Sequence, residues 1–173
     1  GGDRLELLNG SDLRLAGDLA NDGELRFTSA GSVTELVVSA PAISLTGTGE
    51  IRLVDETRDR ITGLSFGNRL VHGPDHVIRG SGLVGSNVIA LENHGLIEAT
   101  DGLELVVDGV SNDNLNAGTL RAVDGGRLTI AAGAFDGTGG RIEAAAGSRV
   151  SLASASIKGG ELATSGDGVV AVD

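Results

Sequence analysis

Three histidines stand in this chain of 173 residues, and two of them bracket one short phrase, His72-Gly73-Pro74-Asp75-His76. His72, Asp75 and His76 are metal-ligand types at a spacing that lets one loop offer three donors to a single ion. Gly73 and Pro74 are turn formers, so the preferred reading is a structural turn, with the three residues kept as weak metal candidates. Asp108 to Asn116 reads Asp-Gly-Val-Ser-Asn-Asp-Asn-Leu-Asn, an oxygen-rich run suggestive of calcium. Asx side chains also make turns by bonding their own backbone, and the Gly-Gly-x-Gly-x-Asp calcium repeat is absent, so a solvated corner loop is expected. Asp55, Glu56 and Asp59 would be the carboxylates of a polysaccharide hydrolase or lyase. Arg58 and Arg60 interleave with them, which favours an ion-paired, solvated loop.

Other chemistries find less support. The chain has no Cys, so it has no disulfide, thiolate metal site or thiol nucleophile. Neither a phosphate-binding Gly-x-x-x-x-Gly-Lys-Ser/Thr loop nor a Gly-x-Ser-x-Gly elbow is present. A net charge of -11 argues against nucleic acid and anionic membrane as partners. No apolar run approaches the ~20 residues of a membrane span. No Trp or Tyr occurs, which also weakens a sugar-stacking groove. The reading assigns no catalytic residue and no cofactor.

The elements that must position these residues follow from glycine. There are 29 Gly, and each one inside a helix costs about 1 kcal/mol relative to Ala. Gly-free stretches of eleven or more residues occur only at 32–46, 50–62 and 148–158; the first contains Pro41, and the last alternates polar and apolar with period two. The chain therefore reads as strand and turn throughout. At 40% hydrophobic residues it is too apolar to be disordered.

Strand-like units recur in phase. Gly95-Leu96-Ile97-Glu98-Ala99, Gly118-Thr119-Leu120-Arg121-Ala122, Gly140-Arg141-Ile142-Glu143-Ala144 and Gly160-Glu161-Leu162-Ala163-Thr164 follow at steps of 23, 22 and 20 residues. A second set, from Leu103-Glu104-Leu105 to Val169-Val170-Ala171-Val172, lies between them. Gly23 and Gly49 open similar units, and the 46 residues from Gly49 to Gly95 read as two periods of 23. This is the signature of a parallel β-solenoid of seven or eight coils of roughly 20–26 residues, with two or three strands in each. Leu120/Ala122, Ile142/Ala144, Leu128/Ile130 and Val150/Leu152 should point inward, and Thr119, Arg121, Arg141, Glu143 and Arg149 outward. One domain is expected over 1–173, with an irregular coil and longer loops at about 54–80 leaving the stack. Neither end looks capped, and position 1 is not Met. The expectation is a length of something longer, partnered by flanking coils of the same chain or by end-to-end copies of itself.

The phrases Asn21-Asp22-Gly23-Glu24-Leu25, Asn93-His94-Gly95-Leu96-Ile97-Glu98-Ala99 and Ile78-Arg79-Gly80-Ser81-Gly82-Leu83-Val84-Gly85 resemble the passenger repeats of bacterial autotransporters and filamentous-haemagglutinin-like exoproteins. The resemblance covers roughly residues 20–173 and implies a single-stranded right-handed parallel β-helix, all-β, secreted unfolded to the cell surface or beyond. The repeats are compositional and do not fix a function; the leading expectation is a non-catalytic stalk, spacer or adhesin segment of a large bacterial secreted or surface protein, with host or surface glycans or proteins as partners. The alternatives carried forward are a filament subunit stacking end to end and a β-helical polysaccharide lyase or hydrolase.

Overall fold

The computed structural model describes residues 3–173, so the first two positions of the expected domain lie outside the described residues. Every described element is a β-strand and every pairing is parallel. Strands lie in three stacks that the chain visits in turn. The first holds Arg4–Leu8, Glu24–Thr28, Glu50–Val54, the front of Val77–Val84, Leu96–Ala99, Thr119–Ala122, Arg141–Ala144 and Glu161–Thr164. The second holds Asp12–Leu15, Thr34–Val38, Asp59–Gly63, the back of Val77–Val84, Glu104–Val107, the front halves of Arg127–Asp136 and Arg149–Lys158, and Val169–Val172. The third holds Leu19–Ala20, Ala42–Thr46, Asn68–His72, Ile89–Asn93, Asn114–Asn116 and the two remaining back halves. The chain is a β-solenoid of about seven turns.

Register explains the composition. In the first stack the inward row runs Leu5, Leu25, Ile51, Ile78, Ile97, Leu120, Ile142, Leu162, one aliphatic residue over the next. All of these are buried except the end members Leu5 and Leu162. The narrow interior takes branched aliphatics in contact with their own kind above and below, so large aromatic rings have little place in it. Phe27 and Phe135 are buried inside, and Phe66 is exposed at a corner. The outward positions of the same stack are mostly charged and ion-paired: Arg4 bonds Glu24 at 2.7 Å, Arg79 lies 3.1 Å from Glu50, Arg121 bonds Glu98, and Arg141 bonds both Glu143 and Glu161. The inward pairs and the outward residues named from the sequence all take the faces expected of them.

The irregular region stays inside the stack. Residues 59–63 and 68–72 are paired strands, and the loop expected there shrinks to tight turns. The 46 residues from Gly49 to Gly95 divide unequally: Glu50 pairs with Val77, 27 positions on, and Val77 with Leu96, a further 19. The physical reason is at Gly80. Val77–Val84 runs straight from the first stack into the second with no corner loop, because Gly80 takes φ +109° and lies against the carbonyl oxygen of Leu53, where a Cβ would collide. The preceding coil fills the notch. Its turn Asp55–Arg58 reaches across the shortened coil, where Glu56 accepts the Glu104 amide at 3.2 Å and approaches Arg127 at 3.7 Å. Arg52 likewise skips a coil to bond Asp101 at 2.9 Å.

Candidate functional site: a buried histidine and asparagine column

His72 ends a third-stack strand at the register position of Asn93, which in turn pairs with Asn116. This row faces the interior just before the corner that leads back to the first stack, and His72, Asn93 and Asn116 are all buried. A polar side chain survives there only with its bonds made. Asn116 Oδ1 accepts from Asn93 Nδ2 at 2.7 Å, and Asn93 Oδ1 lies 2.7 Å from His72 Nδ1. His72 Nε2 lies 3.1 Å from His76 Nδ1, the two rings edge-on at 5.2 Å between centroids. His76 Nε2 meets Asn21 Nδ2 at 3.0 Å. Asn21 belongs two corners earlier, and its backbone lies against Gly47 and Gly49 of the corner between, where a Cβ on either would meet it. Gly95 does the same for the rings: a Cβ there would sit 2.7 Å from His72 Cε1.

The electrostatics follow from burial. Both imidazoles are fully inside, and loss of solvation lowers the pKa of each from 6.5 to about 4. For His72 the Asn93 bond opposes that shift, while the neighbouring charge of His94 adds to it; for His76 the second contribution is the charge of His72.

The structure brings two of the three metal candidates together and leaves the third apart. Asp75 is exposed on the turn, whereas His72 and His76 are spent on each other and on the amides. Among the described residues no group of three or more His, Cys, Asp or Glu converges as a metal site.

The other two constellations depart from expectation through burial. In the 108–116 run, Asn114 and Asn116 point inward rather than into solvent: Asn114 accepts the Leu91 amide and donates to the carbonyls of Val110 and Ala134. Ser111, Asn112 and Asp113 are exposed as expected of a solvated corner, and Asp113 bonds Arg69. Asp55 bonds Arg58 at 3.0 Å as expected. Asp59, four residues on, is fully buried instead. One oxygen accepts the amides of Val54 (2.6 Å) and Asp55 (3.0 Å), and the other accepts the Ser29 hydroxyl. Burial pushes this carboxyl up, against the pull of those donors. Asp55, Glu56 and Asp59 therefore share a turn without facing a common point.

Two depressions on the outer surface are shallow and ion-paired. One of about 450 Å³ lies over the third stack between Arg69, Glu92, Asp113, Asp136 and Lys158. Another, of about 630 Å³, lies over the first stack between Arg4, Glu24, Glu50 and Arg79.

The asparagine column itself was missed by residue-type reasoning, although a signal for it was present. Asn21, Asn93 and Asn116 each stand two places before the glycine that opens a strand, and Asn21 and Asn93 accept that glycine's amide at 3.2 Å. No protein-family model matches the chain, and no curated protein or solved structure matches it either.

Proposed function

We propose that this chain is a non-catalytic structural segment of a large bacterial secreted or cell-surface protein, a rigid spacer or stalk related to autotransporter and filamentous-haemagglutinin-like passengers. The observation that carries this reading is the unbroken row from Leu5 to Leu162, covered outside by ion-paired Glu and Arg. Such a body has a length set by its number of coils and a surface occupied by its own ion pairs. Its mechanism is mechanical: the parallel ladder resists bending, and corner turns such as Asp55–Arg58 carry whatever contacts the surface makes. Flanking coils of a longer chain are its first partners, and host or surface glycans or proteins its next.

A second reading is favoured by the end coils. Extending the observed register by one step places Arg4 of one copy over Glu161 of another, Leu5 over Leu162, Leu13 over Val172 and Arg14 over Asp173. Each pair joins opposite charges or two aliphatics, and Leu5, Leu162 and Val172 are 53%, 57% and 82% exposed. Head-to-tail stacking of copies would then build an extracellular filament.

Electron microscopy of the purified chain tests both readings: discrete compact particles support the spacer, and long fibres of uniform width support the filament. A turnover screen on uronate-containing and other acidic glycans is the counter-test. Depolymerisation at catalytic rates would overturn both in favour of a β-helical lyase or hydrolase.

A further inference from the structure

The histidine and asparagine column has a direction that the backbone imposes. Asn93 Oδ1 accepts the Gly95 amide, which identifies that atom as oxygen, so His72 must present a hydrogen on Nδ1. A neutral His72 then has a bare Nε2, and His76 must donate to it from Nδ1. The remaining lone pair, on His76 Nε2, faces the amide nitrogen of Asn21. Asn21 cannot turn round, because its oxygen holds the Gly23 amide at 3.2 Å and its nitrogen also donates to the Glu50 carbonyl at 3.1 Å. The donors therefore all point one way, from Asn21 through both rings to Asn93, and the column has no acceptor for another proton.

We propose that the His72 and His76 pair is an acid-sensitive latch, joining the corner of Asn21 to that of Asn93 while both rings are neutral and opening when either is protonated. A proton on His76 Nε2 would set two N–H groups face to face across 3.0 Å. A proton on His72 Nε2 would turn the His76 ring into the same conflict. No carboxylate faces the rings to relieve either charge. Leu45 and Asn93 flank His72 in register; Glu50 offers the column only its carbonyl and turns its carboxylate to Arg79, and the Glu24 carboxylate lies with Arg4 and Arg26. Asp75 is exposed on the turn, and His94, the nearest cationic candidate, bonds Glu92.

The sign is set by burial. Both rings titrate near 4 in the fold against 6.5 outside it, so the unfolded chain takes up protons first as pH falls. The stability the latch contributes is whole above about pH 6.5 and is lost as pH falls toward 4, where the folded rings themselves take up protons. Two protons lower the folding constant by up to a hundredfold for each pH unit inside that window.

Nitrogen-detected NMR of the intact chain at pH 7 tests the latch directly. Two histidines should carry their hydrogen on Nδ1, the less common tautomer, while His94, bonded to Glu92 through Nε2, carries it there. An Nε2–H tautomer at His72 or His76, or titration of either near 6.5 in the folded chain, overturns the proposal. Denaturant unfolding between pH 7.5 and 4.5 supplies the second readout, against a His72→Asn/His76→Gln variant. The wild type should lose stability with a steeper slope, by as much as two protons; equal slopes in a folded variant overturn the latch. If that variant does not fold, the wild-type tautomers and titration decide.

Discussion

Asp59 and Thr34 occupy one register position in successive coils, and both are buried. Thr34 Oγ1 accepts the Gly10 amide at 3.1 Å and lies 2.8 Å from Ser29 Oγ, which bonds Asp59. The carboxylate is thus the end acceptor of a short polar path across three coils and the acceptor for two turn amides. Removing it orphans the Val54 and Asp55 amides, so Asp59→Ala should cost about 2–4 kcal/mol in urea unfolding. Asp59→Asn keeps an oxygen and should cost about half as much. Equal loss in both variants would show that charge, not the amide contacts, matters here. Of the residues the sequence marks for chemistry, burial redirects the buried members to internal hydrogen bonds: His72, His76, Asn114 and Asp59 carry no outward sign of it, because a local window does not reveal which face a corner presents.

At the scale of the element, two features hold the coils in register. Ile97 sits between Ile78 and Leu120 with no exposed surface. Ile97→Ala should cost about 2–5 kcal/mol, because a stacked row cannot collapse sideways to fill the hole. Gly80 is different in kind: Gly80→Ala adds one methyl to a left-handed backbone already in contact with Leu53, and the straight passage from first to second stack cannot absorb it. A loss of at least about 2 kcal/mol is expected. Gly67→Ala, also left-handed at φ +83° but with open space about it, should cost less; thermal unfolding of the pair separates crowding from conformation. The period of the strands was legible in the outward Glu and Arg and the inward aliphatics. The unequal coils of 27 and 19 positions were not, since only contact with the neighbouring carbonyl marks Gly80 as a passage rather than a corner.

At the scale of the whole molecule, each coil touches chiefly its neighbours, so stability accumulates along one axis. Eight strands in the first stack, at ~4.8 Å between neighbours, give a body roughly 34 Å long. At 17.3 kDa a body of that length is nearly as wide as it is long, so small-angle scattering of the dispersed chain should return a compact particle, and a strongly elongated profile would show end-to-end assembly instead. The outward pairs are mostly half-exposed, so each contributes only about 0–1 kcal/mol and is weakened by salt. Melting at 1 M NaCl should therefore fall by only a few degrees, leaving the aliphatic rows as the main support.

The sequence by itself determined the all-β class, the parallel stack, the phase of its later coils and the faces of its residues. Those properties are periodic, and a repeat of about 22 residues writes them many times over. Only the tertiary structure decided which coil is short, which carboxylate is inside, and that two histidines complete a column of asparagines. Each depends on what lies one or two coils away, some 20 to 55 residues along the chain, where a side chain meets the carbonyl, amide or ring that gives it a role.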